Sequence, residues 1–200
     1  MLAFDAVLCD LDGVLRHHDP AAQAALDERY GLAPGELLKL ALAPETIGPA
    51  LLGRVSDEQW LESVAEALGG DERARAIVAE FAAVPTSVDE EVRALLAGIQ
   101  AHVPVVLVTN ATTALEEALA GLGLAYFADE VVSSARVGVA KPDPRIYEIA
   151  AERAGVPAGR CLFVDDRAEN VEAAVRLGMI GLHYTGPSAL AAALAVPDGQ

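Results

Sequence analysis

The sequence has 200 residues, of which 53% are hydrophobic and 22% are charged, and this balance excludes an intrinsically disordered chain. Acidic residues number 30 against 14 lysines and arginines, so the formal charge is −16. Because a surface of this sign repels nucleic-acid phosphates and anionic lipids, we expect neither nucleic acid nor a membrane as a partner. The sequence starts without the basic region and long apolar stretch of a signal peptide, and we expect a cytoplasmic protein.

The first predicted strand, 5-DAVLCDL-11, runs from apolar residues into two acids, Asp10 and Asp12. A charge is costly to bury unless it is paired or bound to a metal. These two acids therefore need a partner from elsewhere in the chain.

The stretch from the first strand to about residue 87 contains no convincing strand. Its apolar residues recur at helical spacing, and Ser56 and Gln59 have the spacing of a capping box. We expect an all-helical domain, residues 16–85, inserted into a core made of residues 1–15 and 86–200. The predicted helices of the insert cover 20–32, 34–42, 56–70 and 71–84.

The second half of the chain alternates short apolar strands with helical patterns. Continuous apolar strands separated by helices indicate a parallel sheet that is covered on both faces. The predicted fold is therefore α/β, a Rossmann-like parallel sheet of about five strands flanked by helices, with a small all-helical domain inserted after the first strand. The later strands are predicted at 104–109, 129–134, 160–166 and 179–184.

Polar residues follow the ends of these strands. Thr109 and Asn110 end the second strand, Lys141 lies in 137-VGVAKPDP-144 after the third, and Asp165-Asp166 end the fourth. Ligands of open parallel sheets bind at the carboxyl ends of the strands, so we expect these side chains to converge there.

Three clustered acids, Asp10, Asp165 and Asp166, would raise one another's pKa if nothing neutralised them. Mg²⁺ prefers carboxylate and water ligands, and together with Lys141 it would bring the local charge to zero. A site balanced in this way could accept a phosphate dianion.

The motifs DLDGVL, TN, KPDP and DD, in this order at strand ends, resemble the haloacid dehalogenase superfamily over residues 4–184. The helical insert resembles the C1 cap of its subfamily I. The stretch 162-LFVDDRAENVEAA-174 is similar to the branch that contains sugar-phosphate phosphatases and the phosphatase domain of soluble epoxide hydrolases.

The resemblance implies a Mg²⁺-dependent phosphatase that hydrolyses a small phosphomonoester. Asp10 would be the nucleophile and would carry an aspartyl-phosphate. Asp12 would protonate the leaving alkoxide and then take a proton from water. We expect the acidic neighbours of Asp12 to help it hold a proton near neutral pH.

The same resemblance implies the binding residues. Thr109 and the Asn110 amide would hold phosphate oxygens, and Lys141 would neutralise charge on the phosphoryl group in transfer. The implied Mg²⁺ ligands are Asp166, one oxygen of Asp10, the backbone carbonyl of Asp12, and Asp165 through a water.

The segment 16-RHHD-19 joins the first motif to the inserted helices. Arg16, His17 and His18 could contact the substrate, because a guanidinium suits phosphate or carboxylate, or they could be solvated hinge residues.

Several activities use similar residues. A phosphomutase of the same superfamily needs the same set. A 2-haloacid dehalogenase shares the fold but lacks the acid at the position of Asp12, which argues against that activity. Phosphoacceptor receiver domains carry their acidic pair on the first strand, whereas here the pair comes last. The substrate is not encoded in a recognisable motif, and we expect a monomer or a homodimer.

Overall fold

The structure is a computed structural model and describes residues 2–195. Residue 1 and residues 196–200, which belong to the predicted core domain, lie outside this range. The strands and helices, in chain order, are β1 Ala6–Cys9, β2 Arg16–His18, α1 Pro20–Tyr30, α2 Glu36–Ala41, α3 Pro44–Leu51, α4 Asp57–Ala67, α5 Glu72–Ala82, β3 Thr86–Val88, α6 Glu90–Gln100, β4 Val105–Thr109, α7 Leu115–Gly121, β5 Glu130–Ser133, α8 Ser134–Val137, α9 Pro144–Ala154, β6 Cys161–Asp165, α10 Ala168–Arg176, β7 Ile180–His183 and α11 Pro187–Leu194.

The main sheet has five parallel strands in the order β5-β4-β1-β6-β7. Every residue of β1, β4 and β6 is buried, as expected for strands covered on both sides. The predicted α/β class and the five predicted strands are confirmed, with ends that differ by one or two residues.

Two layers of helices cover the sheet. On one face α6, α7 and α11 pack against the strands through residues such as Leu96, Leu119 and Leu190. On the other face α9 and α10 pack through Ile146, Ala174 and their neighbours. Cys9 on β1 and Cys161 on β6 are free thiols, and each is buried between the sheet and one of the helix layers.

The helices α1 to α5 lie between β2 and β3 and enclose an apolar cluster of their own. Trp60 packs edge-on against Phe81 at 6.3 Å between ring centroids, and its indole nitrogen donates to the Ala41 carbonyl. Four of the five helices coincide with predicted ones. The sequence did not predict α3, because Gly48 and Pro49 inside it are poor helix formers.

A short antiparallel ribbon also differs from the prediction. The segments β2 and β3 pair through Arg16 with Val88 and His18 with Thr86, so the two chain crossings between the sheet and the helical insert lie side by side. These three-residue segments have no strong strand pattern, and they lie about 70 residues apart in the sequence.

Across residues 2–195, the helices lack the combination of length and apolar character that a bilayer span requires.

Candidate active site

The carboxyl ends of β1, β4 and β6 meet at one edge of the sheet. Asp10 directly follows β1, Thr109 ends β4, and Asp165 ends β6, and both flanking strands pair with β1. The strand order therefore brings together three residues that lie up to 155 positions apart in the sequence. All three side chains are buried.

Lys141 connects two of the acids. Its Nζ lies 2.7 Å from Asp10 Oδ1 and 2.7 Å from Asp165 Oδ2, and it donates a third bond of 2.8 Å to the Val108 carbonyl. All three ammonium protons therefore have an acceptor. A buried lysine is tolerated here because two carboxylates pair with it.

Asp165 is held by a further set of donors. The Asn170 side-chain nitrogen lies 3.0 and 3.1 Å from the two Asp165 oxygens, and the Arg167 backbone N–H donates to Oδ1 over 2.9 Å. Asn170 is 2% exposed, and its carbonyl accepts a bond from the Tyr147 hydroxyl. None of the motifs that predict the site includes Asn170. Its position on the buried face of α10, five residues after Asp165, is the signal that could have identified it.

Asp166 reaches the first motif because residue 13 is a glycine. Gly13 has φ +82°, and a Cβ built on it would lie 2.2 Å from Asp166 Oδ2. Asp10, Asp165 and Asp166 each offer one oxygen, and these atoms lie within 4.8 Å of one another.

The electrostatics of this cluster suit a divalent cation. Burial raises the pKa of Asp10, with Lys141 opposing and Asp165 adding to the effect. Burial, together with the Asp165 charge, also raises the pKa of Asp166. Three carboxylates against one lysine leave two negative charges to balance. Oxygen ligands and this residual charge fit Mg²⁺.

Asn110 braces the lysine loop. Its side-chain oxygen accepts from the Lys141 backbone N–H over 2.7 Å, and its side-chain nitrogen donates to the Lys141 carbonyl over 2.9 Å. The side-chain amide is therefore occupied. The predicted contact of Asn110 with a phosphate oxygen would therefore have to use its backbone N–H.

Thr109 carries an unsatisfied hydroxyl. Its Oγ1 is buried and has no hydrogen-bond partner within residues 2–195. A buried polar atom without a partner is costly, so an incoming acceptor or donor at this position would be favoured. The contact between Thr109 and a phosphate oxygen stays a prediction, for which this unpaired hydroxyl is available.

Asp12 has different neighbours from those expected. Arg16 donates to both of its carboxylate oxygens, Nε to Oδ1 and Nη2 to Oδ2, each over 2.7 Å, and His18 Nε2 lies 3.4 Å from Oδ1. Burial acts to raise the pKa of Asp12, but contacts with His18 and Arg16 outweigh it and lower the pKa to about 2. The expectation that acidic neighbours help Asp12 hold a proton is therefore wrong for this conformation, because its nearest charges are cationic.

Arg16, His17 and His18 form β2, and because successive side chains of a strand point to opposite sides, the three do not all face the site. Arg16 and His18 face Asp12, whereas His17 points to the other side of β2, with Nε2 3.6 Å from Asp89 Oδ2. The structure thus brings Arg16 and His18 to the predicted site and leaves His17 outside it.

The helical insert contacts the sheet domain beside the site. The Asp57 backbone N–H donates to Thr113 Oγ1 over 3.0 Å, and the Thr112 hydroxyl bonds to the Asp57 carboxylate. Gly53, with φ +65°, lies so close to Ala135 that a Cβ would be 2.1 Å from the Ala135 carbonyl oxygen. No pattern in the sequence predicts these contacts.

The sequence of this chain is similar to those of known hydrolases and phosphatases. The family model of the haloacid dehalogenase-like hydrolases matches residues 4–178. Phosphatase MT3486 of Mycobacterium tuberculosis is 53% identical over 51 residues, which are 26% of this chain and 24% of that protein. Validoxylamine A 7′-phosphate phosphatase of Streptomyces hygroscopicus subsp. limoneus is 29% identical over 194 residues, 91% of this chain and 87% of the relative. The match to the first of these relatives thus spans about a quarter of its length.

The fold has close counterparts among solved structures. A haloacid dehalogenase family enzyme of Bacteroides thetaiotaomicron, in complex with magnesium and inorganic phosphate, superposes with a TM-score of 0.73 and 19% identity, covering 90% of this chain and 93% of the other. At this identity the likeness concerns the fold. The family model spans the first motif, the lysine loop and the acidic pair, and on this basis the chain belongs to the haloacid dehalogenase-like hydrolases.

Proposed function

We propose that this hydrolase is a Mg²⁺-dependent phosphatase that hydrolyses a small phosphomonoester through an aspartyl-phosphate on Asp10. The observation that carries the proposal is the cluster of Asp10, Asp165 and Asp166 around the buried Lys141. Its residual charge suits a divalent metal, and the metal-loaded site is balanced for a phosphate dianion. Phosphatases among the relatives support the same reading.

The proposed reaction has two displacements. Asp10 attacks the phosphorus, the bond to the leaving oxygen breaks, and Asp12 gives that oxygen a proton. Asp12 then removes a proton from a water that attacks the same phosphorus, which breaks the bond to Asp10 and frees inorganic phosphate. Lys141 and the Thr109 hydroxyl stabilise the negative charge of the phosphoryl oxygens throughout.

The metal would be held by Asp10 and Asp166, with the backbone carbonyl of Asp12 and with Asp165 behind a water. When bound, Mg²⁺ supplies positive charge that lets the phosphate dianion approach the carboxylates and offsets charge in the transition state. Asp165 is already engaged by Lys141 and Asn170, which supports an indirect role for it.

We also propose that residues 16–85 form a cap over a core made of residues 1–15 and 86–200. The separate apolar cluster of α1 to α5 and the paired crossings at β2 and β3 support this division. In this arrangement the core supplies the phosphoryl chemistry, and the cap with its hinge selects the leaving group.

The test is release of inorganic phosphate from p-nitrophenyl phosphate. We expect excess EDTA to abolish it and Mg²⁺ to restore it.

Asp10→Asn should form no covalent phosphate. Asp12→Asn should lose about 10²–10⁴ in rate on ordinary esters and should still be phosphorylated by a substrate with a good leaving group. Undiminished turnover in EDTA, or phosphate labelling of Asp10→Asn but not of Asp12→Asn, would contradict the proposal.

A further inference from the structure

Arg16 binds the carboxylate of Asp12 in the geometry that a guanidinium uses for any carboxylate. Two parallel N–H donors meet two oxygens, each over 2.7 Å. The Arg16 side chain is 11% exposed and the Asp12 side chain 37% exposed, so the guanidinium is mostly shielded from water while the carboxylate is partly open to it. A pair of this kind is strong and directional because the planar fork matches the carboxylate.

The backbone around Arg16 is anchored on two sides. Its N–H donates to the Leu11 carbonyl over 2.7 Å, and its carbonyl accepts from the Gly13 N–H over 2.9 Å. The ribbon adds the pairing of Arg16 with Val88. The guanidinium therefore has a fixed base, and a change of its partner needs only a rotation of the side chain.

The pair conflicts with the proposed role of Asp12. Each Asp12 oxygen accepts one bond from Arg16, and this bidentate pairing holds the carboxylate in one orientation, so Asp12 can turn towards the leaving oxygen only when the pair opens. Opening it leaves a mostly buried guanidinium without an anion, which is unfavourable. An anionic group on the leaving side of the substrate would replace Asp12 as its partner, whereas a neutral leaving group would not.

We propose that Arg16 is a specificity-determining residue that selects phosphate esters whose leaving group carries a second anion, a carboxylate or another phosphate, close to the ester oxygen. The inference rests on the proposed phosphatase function, since it assigns the leaving-group side of that site. Closeness to the ester oxygen follows from the contact of Arg16 with the group that would protonate that oxygen. Lys141 cannot take this role, because Asp10 and Asp165 already hold it.

The test compares esters that share a carbon skeleton and differ in whether they carry a second anionic group. For a carboxylate the pair is 3-phosphoglycerate and glycerol 3-phosphate. For a second phosphate the pair is 1,3-propanediol bisphosphate and 3-hydroxypropyl phosphate. The quantity measured is kcat/KM for the ester with the second anionic group divided by kcat/KM for the matching ester without it. This ratio cancels any effect of a substitution at Arg16 that is the same for both esters.

We expect the wild-type ratio to be about 10–100 for at least one pair and to fall to about 1 in Arg16→Gln. Arg16→Lys is the second variant if Arg16→Gln does not fold. Its carboxylate ratio should also fall, because an ammonium cannot donate two parallel bonds to one carboxylate. His17→Gln is the matched control, since His17 lies on the opposite side of β2, and its ratio should equal that of the wild type.

The outcomes separate this inference from the proposed function. A ratio near 1 in the wild type, or an unchanged ratio in both Arg16 variants, overturns the role of Arg16 while phosphate release keeps the phosphatase. Absence of phosphate release from all four esters and from p-nitrophenyl phosphate overturns the proposed function and this inference with it. The pair of esters whose ratio falls in the Arg16 variants identifies whether Arg16 binds a carboxylate or a second phosphate.

Discussion

Asp165 accepts bonds from three donors: the Lys141 ammonium in the loop before α9, the Arg167 backbone N–H directly after β6, and the Asn170 side chain on α10. An acid held so firmly cannot rearrange to become a flexible ligand. It instead fixes the position of Lys141 between two carboxylates. Asn170 is central to this arrangement because it is buried and contacts both oxygens of Asp165.

We predict that Asn170→Ala weakens Mg²⁺ activation by about 10–100-fold, the usual effect of removing a residue that orients a metal-binding group. The measurement is the Mg²⁺ concentration that gives half-maximal phosphate release. Glu169→Ala is the control, since this neighbouring residue is exposed and pairs with Arg167. If Asn170→Ala lowered the melting temperature but left Mg²⁺ activation unchanged, Asn170 would only contribute to packing.

At the scale of elements, the segment after β4 connects the site to the helical insert. Asn110 holds the backbone of Lys141, and the next residue, Ala111, exchanges bonds with the Ser134 hydroxyl. Thr112 and Thr113 then contact Asp57 at the start of α4. Five consecutive residues, 109–113, therefore pass from the predicted phosphate contact to the surface where the insert docks.

We predict that Gly53→Ala lowers the free energy of unfolding more than Gly35→Ala. Both glycines have positive φ, at +65° and +77°, so both alanines carry a backbone cost of about 1–2 kcal/mol. Only at Gly53 does the added Cβ meet another part of the protein, the Ala135 carbonyl; at Gly35 nothing lies within 4 Å. Urea unfolding of the two variants measures the difference. Equal losses would mean that the contact between the turn after α3 and α8 opens without cost.

At the scale of the whole molecule, the excess of acids affects how the site and the chain respond to cations. The formal charge is −16, and three carboxylates are concentrated at one edge of the sheet. A specific ion at that edge stabilises the folded state by mass action, because the unfolded chain does not bring these acids together. Nonspecific screening of the remaining surface depends only on ionic strength.

We predict that Mg²⁺ at about 100 times its dissociation constant raises the melting temperature by about 5–10 °C, from roughly 2.7 kcal/mol of binding energy in a domain of this size. Asp166→Asn should lose most of this increase. Glu117→Gln removes the same charge from an exposed site on α7 and should keep it. Ionic strength is held constant with NaCl. An equal increase in all three proteins would indicate general screening and no bound ion.

The sequence by itself determined the five-stranded α/β sheet and which polar residues lie at its carboxyl edge. Strand and helix periods are local properties, so the five strands could be identified without tertiary information. Because all five run parallel, residues that follow them must meet at one edge, and this was sufficient to associate Asp10, Lys141 and Asp165 before any distance was known.

Only the tertiary structure decided which partner each polar group takes. Asp12 could have faced the other acids, but the antiparallel pairing of β2 with a segment about 70 residues away directs Arg16 and His18 towards it. In the same way the side chain of Asn110 turned out to bind Lys141, and Asn170 turned out to bind Asp165. A short sequence motif specifies which donors and acceptors are present, whereas their pairing depends on rotamers and on contacts between distant segments, which exist only once the chain has folded.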